Sequence, residues 1–516
     1  MPKRMLLMQR PRRPFFFNVK AIVFLLLAVS LLLPLLVIFL PSIYAEGQVT
    51  FEVLWRRPLA DGYWVREGSW GVSPGLVWAD TGDVDGDGIA DVAIVPFDWH
   101  SDGGGTNNTV QVFRNDGTEL WSKSILIDGG RIAIGDIDGD GKGEVIVFAT
   151  NEDTTNSDAL VYALDDDGTQ LWLWRDEEDE GLLGVATNYV AFVNVDADPE
   201  PEIIGTNGGW PNNRSVYAID GDGSTIWKKA YNRTERLLVG DVTGDGSEEI
   251  LHLSAYGHLV RALDKATGDV VWSFSTVNYN SGILGDITGD TIKDVVVVSR
   301  GQEIYTGTKL YALRGTDGAE LWSLDYSNVW ADHPTVPVLE YVDGDAIKDI
   351  VLGVEREIRA YKHNGSLLWS YSNPSLFASG CPELFRFDVD RDGEGEIIFF
   401  AGKDIYEVSK SGNVTLVGTL PVTDDWGHGR GFESNAGAGK TTEEASTQST
   451  WLWSGDVNND GFEELVFYEV IDEQFYVTVV TTAAVGNQPP EQPMNASPAD
   501  GATGLSLTPT LLANGR

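Results

Sequence analysis

The stretch that decides the reading is GDVDGDGIAD, residues 82–91. Asp83, Asp85 and Asp87 stand at alternate positions, Asp91 closes the stretch, and Gly86 and Gly88 sit among them. Two like charges about 4 Å apart repel by about 1 kcal/mol even in bulk water, and by more at a protein surface. Four carboxylates held in one tight turn call for a positive partner there.

The stretch recurs along the chain, and internal repeats decide the architecture before any single element does. GDIDGDGKGE spans 135–144, GDVTGDGSEE spans 240–249 and GDITGDTIKD spans 285–294. FDVDRDGEGE spans 387–396 and GDVNNDGFEE spans 455–464. Two degenerate copies are VNVDADPEPE at 193–202 and EYVDGDAIKD at 340–349. The first loop positions are therefore 83, 136, 194, 241, 286, 341, 388 and 456, at spacings of 45–68 residues. The ninth position is acidic in every copy: Asp91, Glu144, Glu202, Glu249, Asp294, Asp349, Glu396 and Glu464. A short β-prone run follows each, such as VAIV, VIVF or VVVV. Such runs predict buried strands bounded by turns.

A second signature follows each acidic loop except the last: a strand, a glycine turn and usually a tryptophan. Examples are VQVFRNDGTELW (110–121), SVYAIDGDGSTIW (215–227) and LYALRGTDGAELW (310–322). The seventh, IYEVSKSGNVTL (405–416), has Leu416 where tryptophan is expected. Asn-Gly or Asp-Gly between alternating runs is a strong hairpin signal. Each repeat thus holds four strands, and four-stranded antiparallel units repeated in this way predict the blades of a β-propeller. The fold expected is all-β, with eight blades over 49–481, or seven if one degenerate copy forms no blade. The last copy lacks its tryptophan strand, whereas FEVLWRRPL (51–59) carries Trp55 in the same pattern near the start. The N-terminal strand is therefore expected to complete the last blade and close the ring, leaving no bare edge.

The acidic repeats resemble FG-GAP/VCBS-type propeller repeats, and the YAL…DG…LW halves resemble those of quinoprotein-type propellers. The FG-GAP resemblance implies calcium held in each acidic loop. Carried onto the first loop, it implies Asp83, Asp85, Asp87, the backbone carbonyl of Ile89, and Asp91 as ligands. On the second it implies Asp136, Asp138, Asp140 and Glu144, and on the 241 loop Asp241, Thr243, Asp245 and Glu249. Asp286, Asp290 and Asp294 serve the 286 loop, and Asp388, Asp390, Asp392 and Glu396 the 388 loop. Asp456, Asn458, Asp460 and Glu464 serve the last. Calcium takes six to eight oxygens, which alternate residues of a tight loop deliver. Glycine at the sixth position (88, 141, 246, 393, 461) permits the positive φ such a loop needs. Thr291 replaces it in the 286 loop. Metal is not expected in the 194 loop, where Pro199 stands at the sixth position, or in the 341 loop, where Tyr341 replaces the first carboxylate. About five or six calcium ions are expected, in a structural role: each weak site adds about 1.4 kcal/mol at ten times its dissociation constant.

The chain of 516 residues has 36 basic and 78 acidic residues, a net charge of −42. That balance argues against a nucleic-acid partner. One cysteine, Cys381, excludes an intrachain disulfide and the adjacent cysteine pair of the quinoprotein enzymes. At the N-terminus a basic segment, 1–20, precedes AIVFLLLAVSLLLPLLVIFL at 21–40. Twenty uncharged residues span about 30 Å as a helix, enough for a bilayer. Residues 21–44 are expected to be a membrane anchor, with a cleaved signal ending at SIYA as the rival reading. Either places the propeller outside the cytoplasm: at the cell membrane if the segment anchors, secreted if it is cleaved. Sequons at Asn107, Asn213, Asn232, Asn364, Asn413 and Asn495 are compatible with export.

SNAGAGKT (434–441) imitates a phosphate-binding loop, but no apolar strand precedes it and no helix-forming run follows, so nucleotide binding is not expected. The insertion 421–450 around it, with DDWGHGRGF, and the tryptophan–histidine pairs in FDWH (97–100) and WADH (330–333) are the candidate ligand surfaces. Residues 482–516 turn rich in proline and glycine, and SPADGATGLSLTPTL (497–511) resembles the opening strand of a fibronectin type III domain. The function expected is binding or adhesion to an extracellular glycan or protein. The alternative is a polysaccharide lyase, since some eight-bladed lyases carry similar acidic loops.

Overall fold

The computed structural model describes residues 49–60, 66–68, 71–73, 76–97, 107–126, 128–153, 156–176, 190–196, 198–206, 215–231, 234–254, 257–277, 279–300, 307–326, 335–354, 356–377, 382–422, 452–471 and 474–483. The apolar segment 21–40, Cys381, His100, His333, the insertion from residue 423 to 450 and the tail from 484 lie outside them. Among the described residues no helix is long and apolar enough to cross a membrane.

The strands run in chain order. Strand β1 (Thr50–Pro58) comes first, then a two-stranded ribbon of β2 (Arg66–Gly68) and β3 (Gly71–Ser73). Blade 1 is β4 (Leu76–Gly82), β5 (Asp91–Phe97), β6 (Asn107–Phe113) and β7 (Glu119–Leu126). Blade 2 is β8 (Asp128–Gly135), β9 (Glu144–Asp153), β10 (Asn156–Leu164) and β11 (Gln170–Arg175). Blade 3 is β12 (Val190–Val193), β13 (Glu202–Thr206), β14 (Ser215–Ile219) and β15 (Thr225–Ala230). Blade 4 is β16 (Thr234–Gly240), β17 (Glu249–Ser254), β18 (Leu259–Asp264) and β19 (Val270–Ser275). Blade 5 is β20 (Tyr279–Gly285), β21 (Asp294–Arg300), β22 (Thr308–Leu313) and β23 (Glu320–Tyr326). Blade 6 is β24 (Val338–Glu340), β25 (Asp349–Val354), β26 (Glu357–Tyr361) and β27 (Leu367–Ser372). Blade 7 is β28 (Phe385–Phe387), β29 (Glu396–Ala401), β30 (Asp404–Val408) and β31 (Val414–Thr419). Blade 8 is β32 (Leu452–Gly455), β33 (Glu464–Ile471) and β34 (Gln474–Ala483), with β1 as its fourth strand in the order β1–β34–β33–β32. The protein is thus an all-β, eight-bladed propeller of four-stranded antiparallel blades, and both degenerate copies form blades.

The burial pattern explains why the second strand of each repeat is an unbroken apolar run. All six residues of β17 and of β25 are buried, because both faces of the sheet pack against neighbouring blades. The fourth strands are mostly exposed or half-buried, and in β19 the buried residue is Trp272. Each acidic loop joins the first strand of its blade to the second, and its ninth residue begins the second strand.

The tryptophans join blades. Trp227 Nε1 donates to Lys265 O of the next blade at 2.8 Å, Trp272 to Gly315 O at 2.7 Å, and Trp322 to His363 O at 2.8 Å. Trp172 and Trp369 donate likewise to Gly221 O and Lys410 O. Each ring lies flat against the glycine of that hairpin. A Cβ on Gly268 would come within 2.6 Å of the Trp227 ring, and one on Gly318 within 2.4 Å of Trp272. Both glycines also hold φ of +68°, a conformation that L side chains rarely adopt. The blade 7–8 joint is built differently. Leu416 takes the tryptophan's place, Val49 N donates to Val417 O at 2.8 Å, and Phe51 packs over Gly418.

Candidate metal loops

Six of the loops, all but those at 194 and 341, share one hydrogen-bond plan, visible first in the 83 loop. The position-one carboxylate is a hub for backbone amides: Asp83 Oδ1 accepts from Gly86 N at 2.8 Å and Asp87 N at 3.0 Å, and Oδ2 from Gly88 N at 2.8 Å. One oxygen of the ninth residue accepts from the loop's second and third amides, Val84 N and Asp85 N, at 3.1 and 3.3 Å. Asp87 accepts from Ile89 N at 2.9 Å. The sixth position has positive φ throughout this plan: +85° at Gly88, +89° at Gly141, +88° at Gly246, +91° at Gly393 and +90° at Gly461. Nothing lies within 4 Å of a Cβ built on any of these five, so glycine is there for its backbone and not for space. Thr291 adopts φ +72° in the 286 loop and makes the same bond to Asp286 at 2.8 Å.

The plan aims carboxylate oxygens at one another. Asp83, Asp85 and Asp91 bring one oxygen each to within 4.8 Å of the others. Asp136, Asp138 and Glu144 do the same, as do Asp388, Asp390, Asp392 and Glu396. Asp87 and Asp140, expected as ligands, stand outside these groups. Two buried oxygens in the groups have no hydrogen-bond partner, Glu144 Oε1 and Asp85 Oδ1. An unpaired buried oxygen costs the desolvation of that group, so a cation fits this donor set.

Burial and crowded charge move the proton equilibria in the same sense. Burial first, and the charge of Asp85 second, raise Asp91 to about 7. Burial raises Glu144 and Glu396 to about 8, with the neighbouring aspartates of each loop adding to it. Glu464 is raised to about 7, again chiefly by burial. Without a cation Asp91, Glu144 and Glu396 resist ionisation, which is the condition a metal relieves.

Among the described residues the 241, 286, 341 and 456 loops do not converge in this way. Glu249 Oε1 accepts Thr243 Oγ1 at 3.2 Å beside Asp241 and Asp245, and Asp294 Oδ1 accepts Gly315 N at 3.2 Å beside Asp286 and Asp290. In the last loop Asn458 Nδ2 and Thr481 Oγ1 donate to Glu464 Oε1 at 2.9 and 3.0 Å. The guanidinium of Arg391 lies against Asp460 and Glu464 there, at 2.6 and 3.2 Å, with Asp456 as the amide hub. In the 341 loop Lys362 binds Asp343 and, at 3.0 Å, Asp345.

Sequence reasoning passed over two groups. Asp196, Asp198 and Glu202 of the 194 loop converge despite Pro199, because the convergence uses positions three, five and nine and not the sixth. Asp165, Asp166 and Asp167 converge in the blade 2 hairpin, where the run DDD was the only signal. Arg391 was readable as an oddity: it fills the fourth loop position, where Gly86, Gly139, Gly244, Gly289 and Gly344 stand in other copies.

Comparison with known proteins agrees with the two-part repeat. Residues 83–147 match the profile of the FG-GAP-like repeat, and 157–328 and 256–379 match the profile described as outer membrane protein assembly factor BamB. The comparison with curated proteins gives no match. Among solved structures, the rhamnogalacturonan lyase YesW superposes with a TM-score of 0.58 at 18% identity, covering 82% of this chain and 75% of its own. A Bacillus licheniformis rhamnogalacturonan lyase gives 0.56 at 16% identity, with coverages of 82% and 74%. The V. cholerae biofilm matrix protein Bap1 gives 0.52 at 13% identity, with coverages of 84% and 91%. At these identities the likeness is one of fold.

Proposed function

We propose that residues 49–481 are an extracellular, calcium-stabilised propeller that binds a glycan or a protein. The observation that carries the metal half is the unpartnered buried oxygen of Glu144 inside a converging trio of carboxylates. Asp83, Asp85 and Asp91, then Asp136, Asp138 and Glu144, then Asp388, Asp390, Asp392 and Glu396 are the ligands with the strongest support. Calcium prefers such hard oxygen donors. The ion neutralises carboxylates that otherwise repel, and so it stiffens the joint between the first two strands of a blade. Strand β1 closes the ring, a role supported by its register with β34, from Thr50 opposite Ala483 to Pro58 opposite Tyr476. Residues 21–40 hold the chain at the membrane or direct its export.

A polysaccharide lyase is the second reading, favoured by the likeness of the frame to two rhamnogalacturonan lyases. A glycan array with the full-length protein in calcium separates the two. Saturable binding without turnover supports the binder. Growth of ultraviolet absorbance on uronic polysaccharides, from unsaturated products, replaces it with the lyase. Neither binding nor turnover on any glycan leaves a protein ligand, which co-purification with calcium present and absent then tests.

A further inference from the structure

We propose that Arg391 is a built-in cation that fills the 456 loop in place of a metal and clamps blade 7 to blade 8. Its side chain leaves the blade 7 loop and enters the next one. There the guanidinium donates to Asp460 Oδ2 at 2.6 Å, Glu464 Oε1 at 3.2 Å, Thr482 Oγ1 at 2.9 Å and Thr481 Oγ1. It also lies over the Phe462 ring, 5.1 Å from the centroid. Asp460 and Glu464 are two of the oxygen donors a calcium would use. Glu464 Oε1 has the place that Glu144 Oε1 has in blade 2, yet it accepts three hydrogen bonds where Glu144 Oε1 accepts none.

Two further observations set the blade 7–8 joint apart. Arg391 holds φ +64°, a left-handed conformation, at the fourth loop position where five other copies use glycine. A long side chain is kept there against its backbone preference. The blade 7–8 joint also lacks the tryptophan-on-glycine contact, since Leu416 stands in the tryptophan's place. A planar, permanently charged group with five donors suits a joint that must satisfy several carboxylate and hydroxyl oxygens at once. Lys362 shows the same chemistry in the 341 loop, where its ammonium lies between Asp343 and Asp345 and the first carboxylate is missing. Arg114 also reaches the 83 loop, donating to Asp85 Oδ2 at 2.8 Å, but it leaves Asp85 Oδ1 unpaired, whereas Glu464 Oε1 in the 456 loop accepts three protein donors.

The clamp rests on the calcium reading only for its ion count. Full-length protein, Arg391→Gly and Asp460→Asn are dialysed against calcium, and bound calcium per chain is measured by elemental analysis. Each is then melted in excess chelator. Arg391→Gly is expected to gain one calcium relative to wild type and to melt several degrees lower in chelator, with calcium restoring part of the loss. Asp460→Asn is expected to leave the count unchanged. A count lowered by one in Asp460→Asn overturns the proposal, and does so even if Arg391→Gly fails to fold. Arg391→Gly with both the wild-type count and the wild-type melting curve also overturns it. Should wild type bind no calcium, the calcium reading fails by itself. The clamp is then decided by the chelator melt of Arg391→Gln: a lower midpoint supports it, and an unchanged one overturns it.

Discussion

Trp55 Nε1 donates to Asn115 O at 2.8 Å, and the Trp55 ring covers Gly117 of the blade 1 hairpin. The two residues are 60 apart in sequence, yet they meet as the tryptophans and hairpins of successive blades meet elsewhere. Strand β1 therefore does in blade 8 what the fourth strand does in other blades. Replacing Trp55 with alanine removes a buried ring and one hydrogen bond, at a cost of about 3–5 kcal/mol. Chemical denaturation of Trp55→Ala checks this, with Trp55→Phe losing less because it keeps most of the packing. A Trp55→Ala midpoint equal to wild type refutes the structural role of β1.

Gly268→Ala places a methyl group against Trp227 at a position with φ +68°. Left-handed backbone strain of about 1–2 kcal/mol adds to the clash. Gly246→Ala meets the strain alone, since nothing lies within 4 Å there. The expected order of melting temperatures is wild type, then Gly246→Ala, then Gly268→Ala. The reverse order of the two variants counts against the packing of rings on hairpin glycines.

Chelation is expected to lower the melting temperature, and added calcium to raise it again by an amount that grows with concentration. Glu144→Gln removes the charge from the unpaired oxygen and is expected to lower the calcium count by one. Elemental analysis after dialysis reads the count. An unaltered count removes the blade 2 loop from the set of metal sites.

The chelated protein has a defined pH dependence. Asp91 rises from an ordinary 3.8 to about 7, and Glu144 and Glu396 from 4.5 to about 8. The folded state then holds more protons than the unfolded state in between, so stability falls as pH rises. The contribution is complete below about pH 4 and lost by about pH 8. Calcium holds the same groups ionised and removes this loss, so its stabilising effect is larger at pH 8 than at pH 5. Scanning calorimetry from pH 5 to 8, with chelator or calcium, measures both curves. Glu144→Gln/Glu396→Gln is expected to flatten the chelator curve, and an equally steep curve in that variant assigns the slope to other carboxylates.

Much of the frame was legible because its signals are local. The acidic loop and the run after it are contiguous, as in GDITGDTIKD followed by VVVV, and hairpin glycines mark the turns. Trp55 repeats the tryptophan-strand pattern without an acidic loop before it, which is the sequence signal behind the expected closure. The site was legible only in part. Spacing named Asp83, Asp85, Asp87 and Asp91 alike, yet the fold brings together oxygens of Asp83, Asp85 and Asp91, while Asp87 and Asp140 accept backbone amides outside the converging groups.

By itself, the sequence determined the number of repeats, the strand order within each and the backbone of the loops, because φ at Gly88 and amide bonds to Asp83 depend on residues within a few positions. Only tertiary structure decided which loops keep an oxygen unpaired. Arg391 reaches Glu464 across 73 residues, and that contact is set by the packing of one blade on the next. Charge compensation acts through space, so the loop motif that carries the carboxylates holds no record of the cation that meets them.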